Sequence, residues 1–204
     1  MVFVFDLDDT ICETDEYSEK YILDFFHTHH LPYKQVAKVV RFAESKFDWD
    51  RETANKWYKS HGDSMMLNFP TKPYAVDTIN HLYDMGHTIV IATARATDWH
   101  ADPESITLQW LENIGLKYHK IYIGRVDKEK ICEEEHADVF VDDDIAIVSR
   151  VQEYFKAHNP HGVALLSNTA YNESLYSESK DLPLGVGRLY SFKDFLHLVG
   201  LEDN

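Results

Sequence analysis

Five short apolar runs most constrain this chain. They are VFVF at 2–5, TIVIA at 88–92, KIYIG at 120–124, DVFV at 138–141 and GVALL at 162–166. Each is rich in Val, Ile or aromatic residues, as strands covered on both faces are. Amphipathic stretches separate them, which argues an α/β fold with a parallel sheet. Val76, Ile79, Leu82 and Tyr83 recur at helical spacing, with Gly86 as a stop signal. Asp102 before Pro103 makes an N-cap and first-turn pair, and Ile106, Trp110 and Leu111 carry an apolar face up to Gly115. Further helices are expected over 145–157 and after Ser191.

The stretch 13–74 has no strand-like run. Tyr17, Tyr21, Ile22, Phe25 and Phe26 form one helical stripe, and Val36, Val39, Val40, Ala43 and Phe47 form another. Pro32, Asp48, Gly62, Pro70 and Pro73 punctuate it. It reads as a small helical subdomain inserted after the first strand, with 70–73 as the return linker. The expected division is therefore 1–12 and 75–204 for the core and 13–74 for the insertion.

Composition sets outer limits. The 204 residues carry a formal net charge of −15, which disfavours binding of nucleic-acid polymers or anionic membranes. A small anionic substrate remains compatible, because a local cation can outweigh a distant field. Cys12 and Cys132 have no zinc spacing and read as reduced thiols of an intracellular protein. The MVFVF run ends at Asp6 and is too short for a signal peptide or a membrane span.

The chemistry concentrates at FDLDDT, immediately after the first run. In open parallel sheets, ligands bind beyond the carboxyl ends of strands. Asp6 and Asp8, two apart on extended chain, face the same way there. Gathered carboxylates raise one another's pKa unless a cation offsets them, and magnesium, a hard cation, suits that place. A second acidic cluster, Asp142-Asp143-Asp144, follows another apparent strand. Thr93 and the backbone N–H groups after it offer donors for phosphate oxygens. Lys128 and Lys130 precede the second acidic cluster.

Together these positions resemble the haloacid dehalogenase-like superfamily of phosphohydrolases. FDLDDT matches its first motif, IVIAT its second and VFVDD its fourth, with Lys128 or Lys130 supplying the third. TAR at 93–95, DK before a short helix, Ala170-Tyr171-Asn172 and Tyr190-Ser191-Phe192 are similar to the 5′(3′)-deoxyribonucleotidase family, although Thr169 and Ala170 depart from its pattern.

The resemblance implies a Rossmann-like core with a small helical cap, and a magnesium-dependent phosphomonoesterase acting through an aspartyl-phosphate. Asp6 would be the nucleophile and Asp8 the general acid and base. Asp6, the Asp8 carbonyl and Asp142 would hold Mg2+. Thr93, Ala94 and Lys128 would bind the phosphoryl oxygens, with Asp143 orienting Lys128. Lys128 is preferred to Lys130 because it is expected to precede the helix rather than lie on it. Arg95 reads as structural or cap-facing. The implied substrate is a nucleoside monophosphate, the setting cytoplasmic, and a homodimer is left open.

Competing readings are blander. The acids could be solvated turn residues or helix caps, and Asp144 reads as a cap. His27, His29 and His30 read as a solvated helix end rather than a zinc site. Trp49, Trp57 and Tyr58 could stack a base, but core packing is the commoner use of such residues. A phosphatase of sugar phosphates is the alternative enzyme. A non-catalytic module on the same fold would lack the nucleophile, the acid or the second acidic cluster. A phospho-accepting signalling domain usually carries its acceptor on a middle strand.

Overall fold

The computed structural model describes residues 1–96, 101–176 and 181–201. Among the described residues six strands form one wholly parallel sheet: β1 (Val2–Phe5), β2 (Thr88–Thr93), β3 (Lys120–Ile123), β4 (Val139–Asp142), β5 (Val163–Ser167) and β6 (Gly187–Leu189). Their spatial order is β3-β2-β1-β4-β5-β6. Chain order reverses between β1 and β4, which opens a crevice at their carboxyl ends. The fold is thus the α/β class expected from the five apolar runs, in the Rossmann-like form that the resemblance implies.

The sheet's two faces bury separate clusters. Phe3, Phe5, Ile89, Ile91, Val139 and Val141 face one side, and Val4, Val90, Ala92, Phe140 and Ala164 face the other. This explains why the central runs are apolar without alternation. β3 is an edge strand and only partly buried. β6 was not anticipated: its three residues, Gly-Arg-Leu, make too short a run. A Cβ at Gly187 would lie 2.6 Å from Leu165 Cδ2, so any larger residue there would push the tip of the Leu165 side chain aside.

The helices after β1 are α1 (Thr14–Thr28), α2 (Arg51–Leu67), α3 (Ala75–Asp84), α4 (Pro103–Asn113), α5 (Lys128–Glu134), α6 (Ile145–His158), α7 (Ala170–Leu175) and α8 (Phe195–Leu198). Asp102 caps α4 by accepting from Ser105 N. α3 ends before Gly86, which sits at φ 85°.

The stretch between β1 and α3 needs two corrections. Val36 and Val39 are 54% and 46% exposed, and helix in the 36–47 stretch is limited to a short 3-10 turn at Ala43–Lys46. The valines share helical spacing but have no face to pack against. α2 replaces the expected second helix. Asp50 caps it through Thr53 N, and Gly62, read as punctuation, lies buried within it. Ile22, Phe25, Phe26, Trp57 and Met66 of this stretch join the same apolar cluster as Phe3 and Phe5. The outgoing and returning chains run side by side, with Glu13 N donating to Pro70 O and Lys72 N to Ile11 O.

Candidate active site

β1 delivers Asp6 and β4 delivers Asp142 to neighbouring positions. Asp6 N donates to Val141 O at 2.9 Å, which continues the β1–β4 ladder by one residue. After Asp6 the chain curls. The amides of Thr10, Ile11 and Cys12 all donate to Leu7 O, and Asp9 takes a left-handed φ of 54°. Asp tolerates that region better than most residues. The curl leaves Asp6, Asp8 and Asp9 lining one cavity of about 280 Å3.

Lys128 is the first residue of α5 and not a residue before it, a correction to the expected position. Lys128 is buried, and Nζ donates to Asp6 Oδ1 and Asp142 Oδ2, both at 2.6 Å. Lys130 points away and pairs with Glu134 on the exposed face. Burial opposes the Lys128 charge, but the two carboxylates outweigh it and hold its pKa above the ordinary lysine value. Burial pushes Asp6 up to about 7 despite Lys128, and Asp142 up to about 6. Asp143 is raised to about 7 by burial and by the Asp6 and Asp9 charges.

Carboxylate oxygens of Asp6, Asp142 and Asp143 all lie within 4.8 Å of one another. Three buried, hard, anionic oxygens with raised pKa values fit a magnesium ion, which takes such ligands and offsets their repulsion. Asp142 Oδ1 also accepts from Asp144 N at 2.8 Å, which fixes its rotamer.

Asp143 does not orient Lys128 as expected. The single Tyr171 O–H is shared between Asp143 Oδ2 at 2.7 Å and the Asp143 carbonyl at 2.6 Å, and that carbonyl also accepts from Asn172 Nδ2. Asn172 is in turn held by Ser167 O and Arg188. Thr169 closes a capping box with Asn172 at the start of α7. Tyr171 and Asn172 drew notice in the sequence only as part of a motif; here they brace an acidic residue.

Asp8 is gripped by Arg95. Nε donates to Oδ2 and Nη2 to Oδ1, both at 2.9 Å, and Thr14 Oγ1 donates to Oδ1 at 2.8 Å. Burial alone would raise the Asp8 pKa, but the Arg95 charge and these hydrogen bonds bring it below the ordinary carboxylate value. Arg95 is almost wholly buried, with its guanidinium over the rings of Trp110 and Phe69. The sequence reading of Arg95 as structural or cap-facing left its partner unnamed, and Thr14 drew no attention there.

Thr93 ends β2 and is fully buried, with Oγ1 accepting from Arg95 N at 3.4 Å. Ala94 is exposed and lines the cavity. Asp144 caps α6 through Ala146 N, as expected, and also pairs with Arg41 at 2.6 Å. The far wall of the cavity is Phe42, Tyr58, Met65, Met66 and Phe69. Trp57 is 1% exposed and packs as core, so it has no face free for a base, and Trp49 donates Nε1 to Glu44 O. His27, His29 and His30 lie exposed at the end of α1.

This architecture recurs among solved structures. A haloacid dehalogenase-like family hydrolase of Streptococcus pneumoniae matches with a TM-score of 0.62 at 12% identity, over 96% of each chain. The fold is that of the haloacid dehalogenase-like hydrolases. The "putative HAD-hydrolase YfnB" of Bacillus subtilis, in a structure bound to magnesium, shares this fold with a TM-score of 0.60 at 12% identity over 98% of each chain. So does the D,D-heptose 1,7-bisphosphate phosphatase of Burkholderia thailandensis, with a TM-score of 0.52 at 12% identity over 95% of this chain and 94% of that one. Among curated proteins, one from Bacillus cereus named "Putative nucleotidase" is 27% identical over 161 residues, covering 72% of this chain and 79% of its own. No family model matches the chain.

Proposed function

We propose that this protein is a magnesium-dependent phosphomonoesterase that works through an aspartyl-phosphate at Asp6. One observation carries the reading: Asp6 and Asp142, at the carboxyl ends of adjacent central strands, share the buried Lys128 ammonium and open into the cavity. Like charges are gathered there at a cost in stability, and a phosphoryl group with its metal ion is the ligand that uses them.

In this reading an Asp6 carboxylate oxygen attacks phosphorus and the ester P–O bond breaks. The departing oxygen takes a proton from Asp8. A water then attacks the phosphorus of the aspartyl-phosphate, giving its proton to Asp8, and the P–O bond to Asp6 breaks. Inorganic phosphate leaves and Asp6 is restored. Lys128 and the amides after Thr93 hold phosphoryl oxygens as charge spreads over them. Asp6, Asp142 and the Asp8 carbonyl would hold magnesium, with Asp143 close enough to join them. When bound, the metal supplies charge neutralisation for the phosphoryl oxygens. Residues 13–74 serve as a cap that walls off the leaving group from water.

The leaving group we favour is a nucleoside. Phe42, Tyr58, Met65, Met66 and Phe69 line the cavity and make part of it apolar, as a nucleoside would need, and the likeness to a curated protein named as a nucleotidase points the same way. The test is phosphate release from a panel of 5′- and 3′-nucleotides and sugar phosphates, with magnesium and with EDTA. Magnesium-dependent release that favours nucleotides, and that Asp6→Asn abolishes, supports the reading. Full activity in Asp6→Asn would refute the nucleophile assignment, and a preference for sugar phosphates would replace the nucleoside.

A further inference from the structure

The two oxygens of Asp8 are unequally engaged. A carboxylate has about four acceptor positions, two on each oxygen. Oδ1 receives Arg95 Nη2 at 2.9 Å and Thr14 Oγ1 at 2.8 Å, and Cys12 Sγ also approaches it at 3.7 Å. Oδ2 receives Arg95 Nε at 2.9 Å and no other donor among the described residues. Oδ1 is therefore saturated, while Oδ2 keeps one open position. The Asp8 side chain is 32% exposed and lines the cavity, whereas that of Arg95 is 3% exposed. The open position thus belongs to a group that substrate can reach, and the grip comes from one that substrate cannot displace.

The grip is itself held. The guanidinium lies 5.2 Å from the Trp110 ring centroid and 5.9 Å from that of Phe69. Trp110 Nε1 donates to Phe69 O at 3.0 Å, which ties the two rings together. A planar fork stacked between rings has little freedom to turn.

We propose that Arg95 and Thr14 are positioning residues that select Oδ2 of Asp8 as the oxygen exchanging protons with the leaving group and with water. This rests on the phosphomonoesterase reading above. Arg95 touches no reacting atom; it acts by denying Oδ1 and by aiming Oδ2.

The experiment compares two esters that differ in their need for a proton. A nucleoside 5′-monophosphate has a poor leaving group and depends on the acid, whereas p-nitrophenyl phosphate has a good one and depends on it little. Arg95→Lys keeps the charge without the fork, and Thr14→Val keeps the side chain's shape without the hydroxyl. In both variants kcat/KM is expected to fall more on the nucleotide than on the aryl ester, by about 100-fold for Arg95→Lys and about 10-fold for Thr14→Val, neither exceeding the roughly 100- to 10,000-fold that general acid catalysis supplies. An equal fall on both esters in both variants, or Arg95→Lys matching wild type on both, would overturn the assignment while leaving the phosphatase reading intact. A wild type that hydrolyses neither ester would overturn the phosphatase reading, and this inference with it. Folding of each variant is checked by its thermal transition, and Thr14→Val carries the test if Arg95→Lys fails to fold.

Discussion

Lys128 Nζ stands 2.6 Å from Asp6 Oδ1 and 2.6 Å from Asp142 Oδ2, so one buried cation joins the carboxyl ends of two central strands. Lys128→Met removes it and leaves two buried carboxylates facing each other. Breaking a buried pair from one side costs about 3–5 kcal/mol. Urea unfolding in EDTA is expected to show a loss of that order. Added magnesium should recover part of it, because the ion replaces the missing charge. A variant as stable as wild type in EDTA would contradict the importance of this contact.

The raised carboxyls set a pH dependence with a definite sign. Asp6 and Asp143 titrate at about 7 and Asp142 at about 6, whereas an unfolded Asp titrates at about 4. Between those values the folded state binds more protons than the unfolded state, so stability falls as pH rises. Asp8, whose pKa is lowered, acts in the opposite sense, but only below about pH 4. In EDTA the protein is expected to melt lower at about pH 8 than at about pH 5. Saturating magnesium should flatten or reverse that slope. A metal-free melting temperature that climbs from about pH 5 to 8 would count against the shifts.

Magnesium should stabilise the fold as well as activate it. At 100 times its dissociation constant a ligand adds about 2.7 kcal/mol. Asp142→Asn is expected to shrink the magnesium-induced rise in melting temperature and to raise the magnesium concentration that activity requires. An unchanged magnesium response in that variant would remove Asp142 from the proposed metal site.

Tyr171→Phe deletes the hydroxyl that Asp143 accepts at 2.7 Å and keeps the ring. Loss of a hydrogen bond to a group beside a metal typically costs 10–100-fold in affinity or activity. We expect a drop of about 10-fold in kcat/KM with the melting temperature nearly held. Titration of phosphate release against magnesium will show whether the loss lies in metal affinity or in turnover.

The strands were legible because central strands buried on both faces must be continuously apolar, as TIVIA and VFV are. The two acidic clusters were legible because strand ends in such a sheet have a fixed destination. The insertion was read less well. α2 begins Arg-Glu-Thr-Ala-Asn-Lys, and its buried residues, Trp57, Gly62, Met65 and Met66, are too sparse to declare a face. Val36 and Val39 mimic a stripe that nothing covers. Arg95's partner could not be named because it lies 87 residues away in sequence. The bracing of Asp143 by Tyr171 likewise spans 28 residues that local pattern cannot bridge.

The pairing of β1 with β4 has a consequence for how the chain comes into being. Synthesis delivers Asp6 well before its cation, which follows 122 residues later at Lys128, and before its acidic neighbour at Asp142. A nascent chain can pair β1 with β2 and bury that apolar seam while half of the crevice between β1 and β4 is still unmade. Such distant pairings carry a loop-closure cost and form slowly. Capacity to bind metal and phosphate should therefore emerge late in folding, after the first strands have docked, and its appearance would mark the moment the sheet is joined across its centre.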